Sequence, residues 1–104
     1  MAELLYGAPV AAAITEDCAG RAGRLANEGV TPTLAVVRVG ERADDLSYER
    51  GLMKRAEKAG VSVRRVCLPE SCSQTRLMDA VAQINEDASV HGCLVFRPLP
   101  APLD

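Results

Sequence analysis

The chain has 104 residues, one domain's worth, and its 48% hydrophobic and 25% charged content is that of a soluble globule with a single core. A net charge of −2 and a pI near 5.4 argue against nucleic acid or an acidic membrane surface as a partner. No apolar run approaches bilayer length, and Glu3 stands where a secretory leader needs positive charge, so the expectation is a cytoplasmic protein without membrane contact. Cys18, Cys67, Cys72, Cys93 and the single histidine, His91, lack the spacing of a zinc site, and the cysteines are expected to be reduced core residues.

In chain order, residues 8–28 (APVAAAITEDCAGRAGRLANE) read as a helix. Val10, Ile14, Cys18 and Leu25 fall near one face, and Gly29 ends it. Pro32 forces an extended entry into TLAVVRVG (33–40), an almost continuous aliphatic run that suits a strand buried on both faces. A second helix runs from Asp45 to Ala59. Asp44 and Asp45 are placed to cap its first turn, Lys54, Arg55 and Lys58 lie near its negative end, and Gly60 stops it. VSVRRVCLP (61–69) reads as the next strand. The third helix covers 73–87, with Ser73 as N-cap and Leu77, Met78, Val81 and Ile84 as its apolar stripe. HGCLVF (91–96) is the last strand, and the prolines of RPLPAPLD prevent its continuation.

The order α-β-α-β-α-β predicts a small three-layer α/β domain, a parallel sheet of about three strands with helices on both faces. Such a sheet has open edges, so the domain is either the first part of something longer or one whose edges a partner covers. Ligands of open parallel sheets bind beyond the carboxyl ends of the strands. Here that edge comprises Val39, Gly40 and the loop to Tyr48, then Leu68 and Pro69, then Phe96 to Pro100. Two of the three aromatic residues, Tyr48 and Phe96 but not Tyr6, fall on it. A helix-start Tyr serves packing as readily as ligand contact, and a strand-end Phe is more usually a core residue. The loop GERADD has neither G-x-G-x-x-G nor P-loop spacing, so it offers no nucleotide cradle. His91 opens the last strand at the opposite end, which leaves no Ser-His-Asp or Cys-His set.

The stretch TPTLAVVRVGERADDLSYERGLMKRAEKAGV, followed by LPESCSQTRLMDAVAQINEDASVHGCLVFRPLPAPLD, resembles the N-terminal half of the methylenetetrahydrofolate dehydrogenase/methenyltetrahydrofolate cyclohydrolase family. The opening LLYGAPVAAAI fits as well, and VHGCLV..PLP...D is the most specific block. The resemblance implies the first of two domains, with tetrahydrofolate in the cleft between them and NADP or NAD on a Rossmann-like second domain outside residues 1–104. It implies one-carbon metabolism: oxidation of the methylene form to methenyl, then hydrolysis to 10-formyltetrahydrofolate. In the family, a Tyr-x-x-x-Lys motif packs on folate and handles protons, and a Gln in LVQLPLP tunes the Lys.

Carried over position by position, Tyr48 matches the motif's Tyr, but Leu52 holds the Lys position and Phe96 the Gln position. Arg97 replaces the following Leu, Asp45 replaces the Ser three before the Tyr, and Pro98, Leu99 and Pro100 are kept. On a helix turning about 100° per residue, Lys54 lies about 120° from Tyr48 and is a poor substitute, whereas Leu52 lies about 40° away. Strand alternation points Arg97 away from the face of Phe96. Losing the Lys alone would strand a buried Gln at about 1–3 kcal/mol, while replacing both by apolar groups can be nearly neutral.

The expected substrate contacts are therefore Tyr48, Leu52, Val95, Phe96, Pro98, Leu99 and Pro100, with no catalytic residue, metal or cofactor site within the chain. The reading is a folate-site domain of impaired or absent activity. Its alternatives are a module that binds folate or another flat ring without turnover, and a structural paralogue packed on a partner, whether a C-terminal domain or a second copy.

Overall fold

The computed structural model describes residues 3–101 and 103. The elements are α1 (Gly7–Asn27), β1 (Thr33–Val39), α2 (Ala43–Ala59), β2 (Ser62–Leu68), α3 (Gln74–Glu86) and β3 (Gly92–Val95). The strands form one parallel sheet in the order β2-β1-β3. Thr33 to Val39 pairs with Ser62 to Leu68 on one side, and Leu34 to Val37 pairs with Gly92 to Val95 on the other. The predicted three-layer α/β arrangement is what forms.

Strand alternation assigns the faces. Ala35, Val37 and Val39 point to α3 and build the core with Leu68, Leu77, Ala80 and Ile84. The alternate residues of β1, Val36 and Arg38, are equally buried and face the α2 side. Arg38 there meets Glu49 of α2 at 3.4 Å, with both side chains less than a tenth exposed. The rest of the guanidinium donates to the Gly40 carbonyl oxygen and, at 3.1 Å, to Cys67 Sγ. The 3.4 Å contact is an ion pair without hydrogen-bond geometry, and Arg38 Nε and Glu49 Oε1 have no hydrogen-bond partner among the described residues.

Two helices end in the way their glycines predict. Gly29 takes φ +81°, with N–H groups of Gly29 and Val30 bonded back to Ala26 and Leu25. Gly60 takes φ +77°, with Gly60 and Val61 bonded to Glu57 and Ala56. Both are paired closures built on a left-handed residue. Ser73 caps α3 by accepting from the Arg76 N–H.

Four expectations need correction. Val10, Ile14, Cys18 and Leu25 are exposed, and α1 instead turns Ala11, Thr15, Ala19 and the buried Ala22 inward. Small side chains let α1 approach α2 closely, so a Cβ on Gly60 would stand 2.9 Å from that of Ala22. Met78 is exposed and Ala80 takes its place in the stripe, because i+3 and i+7 from Leu77 are Ala80 and Ile84. Asp44 and Asp45 do not cap α2: Arg42 is the N-cap without a side-chain bond, and the two acids lie inside the first turn, where they meet the positive end of the helix dipole. The cysteines are free, but three of them are not core: Cys18, Cys67 and Cys93 are exposed, while the half-buried Cys72 packs against the core. Desolvation raises the Cys93 thiol above its ordinary pKa, which disfavours the reactive thiolate.

At the amino end of the sheet, Asp87 accepts from the Ser89 hydroxyl and N–H and from Arg64 of β2. The Ser89 bond first, and then Arg64, lowers its pKa to about 2.

Three outcomes are expected from urea and thermal unfolding. Arg38→Ala strands a buried carboxylate and destabilises by about 3–5 kcal/mol, whereas Arg38→Met with Glu49→Leu costs far less. Gly29→Ala, in open space, costs about 1–2 kcal/mol for its left-handed backbone, and Gly60→Ala costs more because its methyl also meets Ala22. Asp87 has a depressed pKa, so its contribution is complete above its ordinary value of 3.8 and is lost as pH falls to about 2. Asp87→Asn should therefore flatten the fall in melting temperature across that window.

Candidate functional site

The salt-bridged face of α2 sets the register of that helix over the sheet. Its first two turns consequently stand beside the carboxyl end of β3. Phe96 follows β3 directly and extends the ladder, its N–H bonded to the Val37 carbonyl at 3.0 Å. Phe96 is buried, and Tyr48 is 62% exposed. They meet edge to face, with centroids 5.3 Å apart and planes at 87°. This is a favoured aromatic geometry.

Tyr48, Val95 and Phe96 line a cleft of about 340 Å³, together with Asp44 and Asp45 of α2, Leu94 of β3 and Arg97. A second hollow, about 540 Å³, runs between α1 and α2 and is lined by Leu52, Tyr48, Ile14, Leu34, Val61 and others. Tyr48 borders both. Of the residues expected from the sequence, the structure thus brings Tyr48, Val95 and Phe96 into one cleft and puts Leu52 in the neighbouring groove. Pro98 is exposed, Leu99 packs partly against the core, and Pro100 is half-buried, with none of the three lining the cleft. Lys54 is exposed and lines neither hollow.

Arg97 departs from expectation. It lines the same cleft as Phe96. Alternation governs residues within a ladder, and β3 ends at Val95, so the rule no longer fixes the direction of residue 97. His91 sits at the amino end, its N–H bonded to the Thr33 carbonyl and its Nδ1 accepting from the Thr33 N–H at 3.0 Å.

Sequence reasoning passed over three charged residues. Arg38 and Glu49 form the buried pair, and Asp45, treated as a cap, is only 8% exposed. The available signal was Arg38 itself, a charge inside a run otherwise buried on both faces, which demands a partner. Asp45 and Glu49 are one turn apart on α2 and share its inward side.

The described residues do not fit a dinucleotide. A diphosphate at the start of α2 would meet the carboxylates of Asp44 and Asp45 where a nucleotide site presents bare N–H groups. Gly40, the only glycine of the β1–α2 turn, has the side chain of Glu70 3.6 Å from where a Cβ would stand. No three metal-ligating side chains gather among the described residues, and no described helix is long and apolar enough to cross a membrane.

Residues 5–104 match the family model for the tetrahydrofolate dehydrogenase/cyclohydrolase catalytic domain. The bifunctional protein FolD of Clostridioides difficile is 41% identical over 102 residues, covering 98% of this chain and 36% of its own length. That of Alkaliphilus metalliredigens is 42% identical over 104 residues, 37% of its length. The crystal structure of the Campylobacter jejuni FolD methylenetetrahydrofolate dehydrogenase/cyclohydrolase superposes with a TM-score of 0.92 at 31% identity, covering 94% of this chain and 35% of that one. The Trypanosoma brucei FolD, solved with NADP cofactor and inhibitor, gives 0.90 at 30% identity, covering 99% and 35%. The chain spans little more than a third of the proteins it matches. With nearly every residue inside the match, the chain belongs to the tetrahydrofolate dehydrogenase/cyclohydrolase family, matching its catalytic domain.

Proposed function

We propose that this domain holds the ring of a tetrahydrofolate in the Tyr48–Phe96 cleft, as the folate-binding part of a longer one-carbon enzyme, and that its cyclohydrolase step is lost or strongly reduced. The observation that supports this is the edge-to-face contact of Tyr48 and Phe96 at the mouth of the parallel sheet. An exposed phenol ring held by a buried one offers a flat ligand an apolar surface to stack on.

Ring opening by water needs a group that gives and takes a proton within hydrogen-bond reach of the reacting atoms. Leu52 at the family's Lys position and Phe96 at its Gln position supply neither donor nor acceptor. Lys54 is turned out to solvent. Oxidation of the methylene form needs a nicotinamide to take the hydride, and NADP or NAD would be held by the remainder of such an enzyme. What this domain contributes is a surface for the ring, shielding of one ring face from water, and the acidic edge at Asp44 and Asp45. The remainder of the longer enzyme would pack on this domain as its partner, in the cytoplasm.

The experiment is a titration of the chain with 5-formyltetrahydrofolate, followed by amide shifts, beside an assay of 5,10-methenyltetrahydrofolate hydrolysis. Saturable shifts at Tyr48 and Phe96, with hydrolysis at the buffer rate, are expected. Phe96→Ala should weaken binding about tenfold through loss of the ring that steadies Tyr48. Turnover clearly above buffer, by this chain or by a longer form carrying it, would overturn the loss of the cyclohydrolase step.

A further inference from the structure

The inward side of α2 buries two acids and faces one buried base. Asp45 is 8% exposed, Glu49 5% and Arg38 7%. Arg38 is engaged by Glu49, the Gly40 carbonyl and Cys67. Asp45 is left over. The ion pairs among the described residues are Asp17–Arg21, Arg38–Glu49 and Arg64–Asp87, and none includes it. Arg97 lines the same cleft without closing on it. No hydrogen bond from a described residue reaches the Asp45 carboxylate. Asp45 as a residue is nine-tenths buried, its carboxylate has no protein donor, and such a poorly hydrated carboxylate is costly, the positive end of α2 offsetting only part of that. Asp45 lines the cleft that holds Tyr48 and Phe96.

We propose that Asp45 selects the ligand of this cleft by accepting hydrogen bonds from N–H donors on the edge of a flat nitrogen heterocycle whose face lies on Tyr48. The proposal rests on the ring-holding reading above and adds the residue that sets specificity. Asp45 and Tyr48 are three apart on one helix, so acceptor and stacking surface lie side by side. A ring with no donor on that edge would seal the carboxylate from water and leave it unpaired. A site of that kind rejects the donor-free analogue more strongly than it favours the right one.

The test is a titration of the 104-residue chain, read from the amide shifts of Tyr48 and Phe96, with three probes. They are folic acid, 2-aminopyrimidin-4-one with its edge of N–H donors, and 1,3-dimethyluracil, a ring of like size with none. The aminopyrimidinone is expected to bind at least about tenfold tighter than the dimethyluracil. Asp45→Asn should shrink that preference and Asp45→Ala should abolish it, with circular dichroism checking the fold. Should the alanine variant unfold, the asparagine variant decides alone. Equal binding of the two small rings, or a preference unchanged in the variants, overturns the role of Asp45 and leaves the folate reading standing. Failure of folic acid while the aminopyrimidinone preference persists overturns the folate reading alone. If no ring binds, both fall.

Discussion

A guanidinium lies inside the sheet face beneath α2, and one carboxylate answers it. The Arg38–Glu49 contact joins the central strand to the helix that carries Tyr48 and Asp45. A buried pair of this kind adds little net stability, since desolvating both charges offsets most of their attraction. What it supplies is register. Sliding α2 by one turn would part Glu49 from Arg38: in one direction both charges would be buried unpaired, and in the other Asp45 would take the place of Glu49 and leave Glu49 the carboxylate without a partner. An apolar contact would tolerate such a slide. The cleft therefore inherits its geometry from an interaction outside it: with Glu49 fixed, Asp45 is fixed one turn earlier and Tyr48 beside it, at the end of β3.

The same helix shapes the rest of the molecule through size instead of charge. Ala22 meets Gly60 closely enough that a methyl there would collide, so α1 lies tight against the end of α2. Its larger apolar residues are left exposed, Ile14 at the open groove beside α2 and Val10 further out, as are Leu5 and Tyr6 ahead of it. The radius of gyration is 16.5 Å, where a closed globule of this length would have about 13 Å. The excess reflects an open arrangement with apolar surface unburied. Exposed apolar residues gathered along one segment, from Leu5 to Ile14, suit contact with further protein. That fits a domain spanning little more than a third of its relatives.

How much of this was written plainly in the chain depends on how many solutions each pattern allows. TLAVVRVG admits one, because an aliphatic run of that length before a glycine is a buried strand. Gly29, Gly60 and Ser73 mark helix ends by a mechanism that works locally. The α1 pattern admits two, a stripe of Val10, Ile14 and Leu25 or a stripe of Ala11, Thr15, Ala19 and Ala22. Hydrophobicity favours the first, and close helix packing against Gly60 selected the second. Charged residues were the least legible. Arg38 announced only that a partner existed. That Glu49 would be the partner, and that Asp45 would be left without one, follows from the placement of α2 and from no local signal. Arg97 shows the same limit, since alternation was applied one residue past the ladder that enforces it.

The pairing of Leu52 with Phe96 takes a different meaning once both are located. If they lined one pocket, their joint change would be a direct exchange of a polar contact for an apolar one. They line two hollows, and Tyr48 is the wall between them. Phe96 meets that ring edge to face from the cleft side, while Leu52 lies one turn further along α2 and faces Ile14, Leu34 and Val61 across the groove. An ammonium at residue 52 would have to leave this apolar groove and pass Tyr48 to reach the cleft, and its natural acceptor on the far side would be the position that Phe96 fills. With a phenyl ring there, the ammonium would lose that acceptor, and only the carboxylates of Asp44 and Asp45 on the same cleft could take its place. Leu52 is then the side chain that an apolar groove and an occupied cleft wall jointly prefer. On the proposed reading, the apolar side chains at 52 and 96 and a surface on which a ring could stack are two consequences of one packing arrangement around Tyr48.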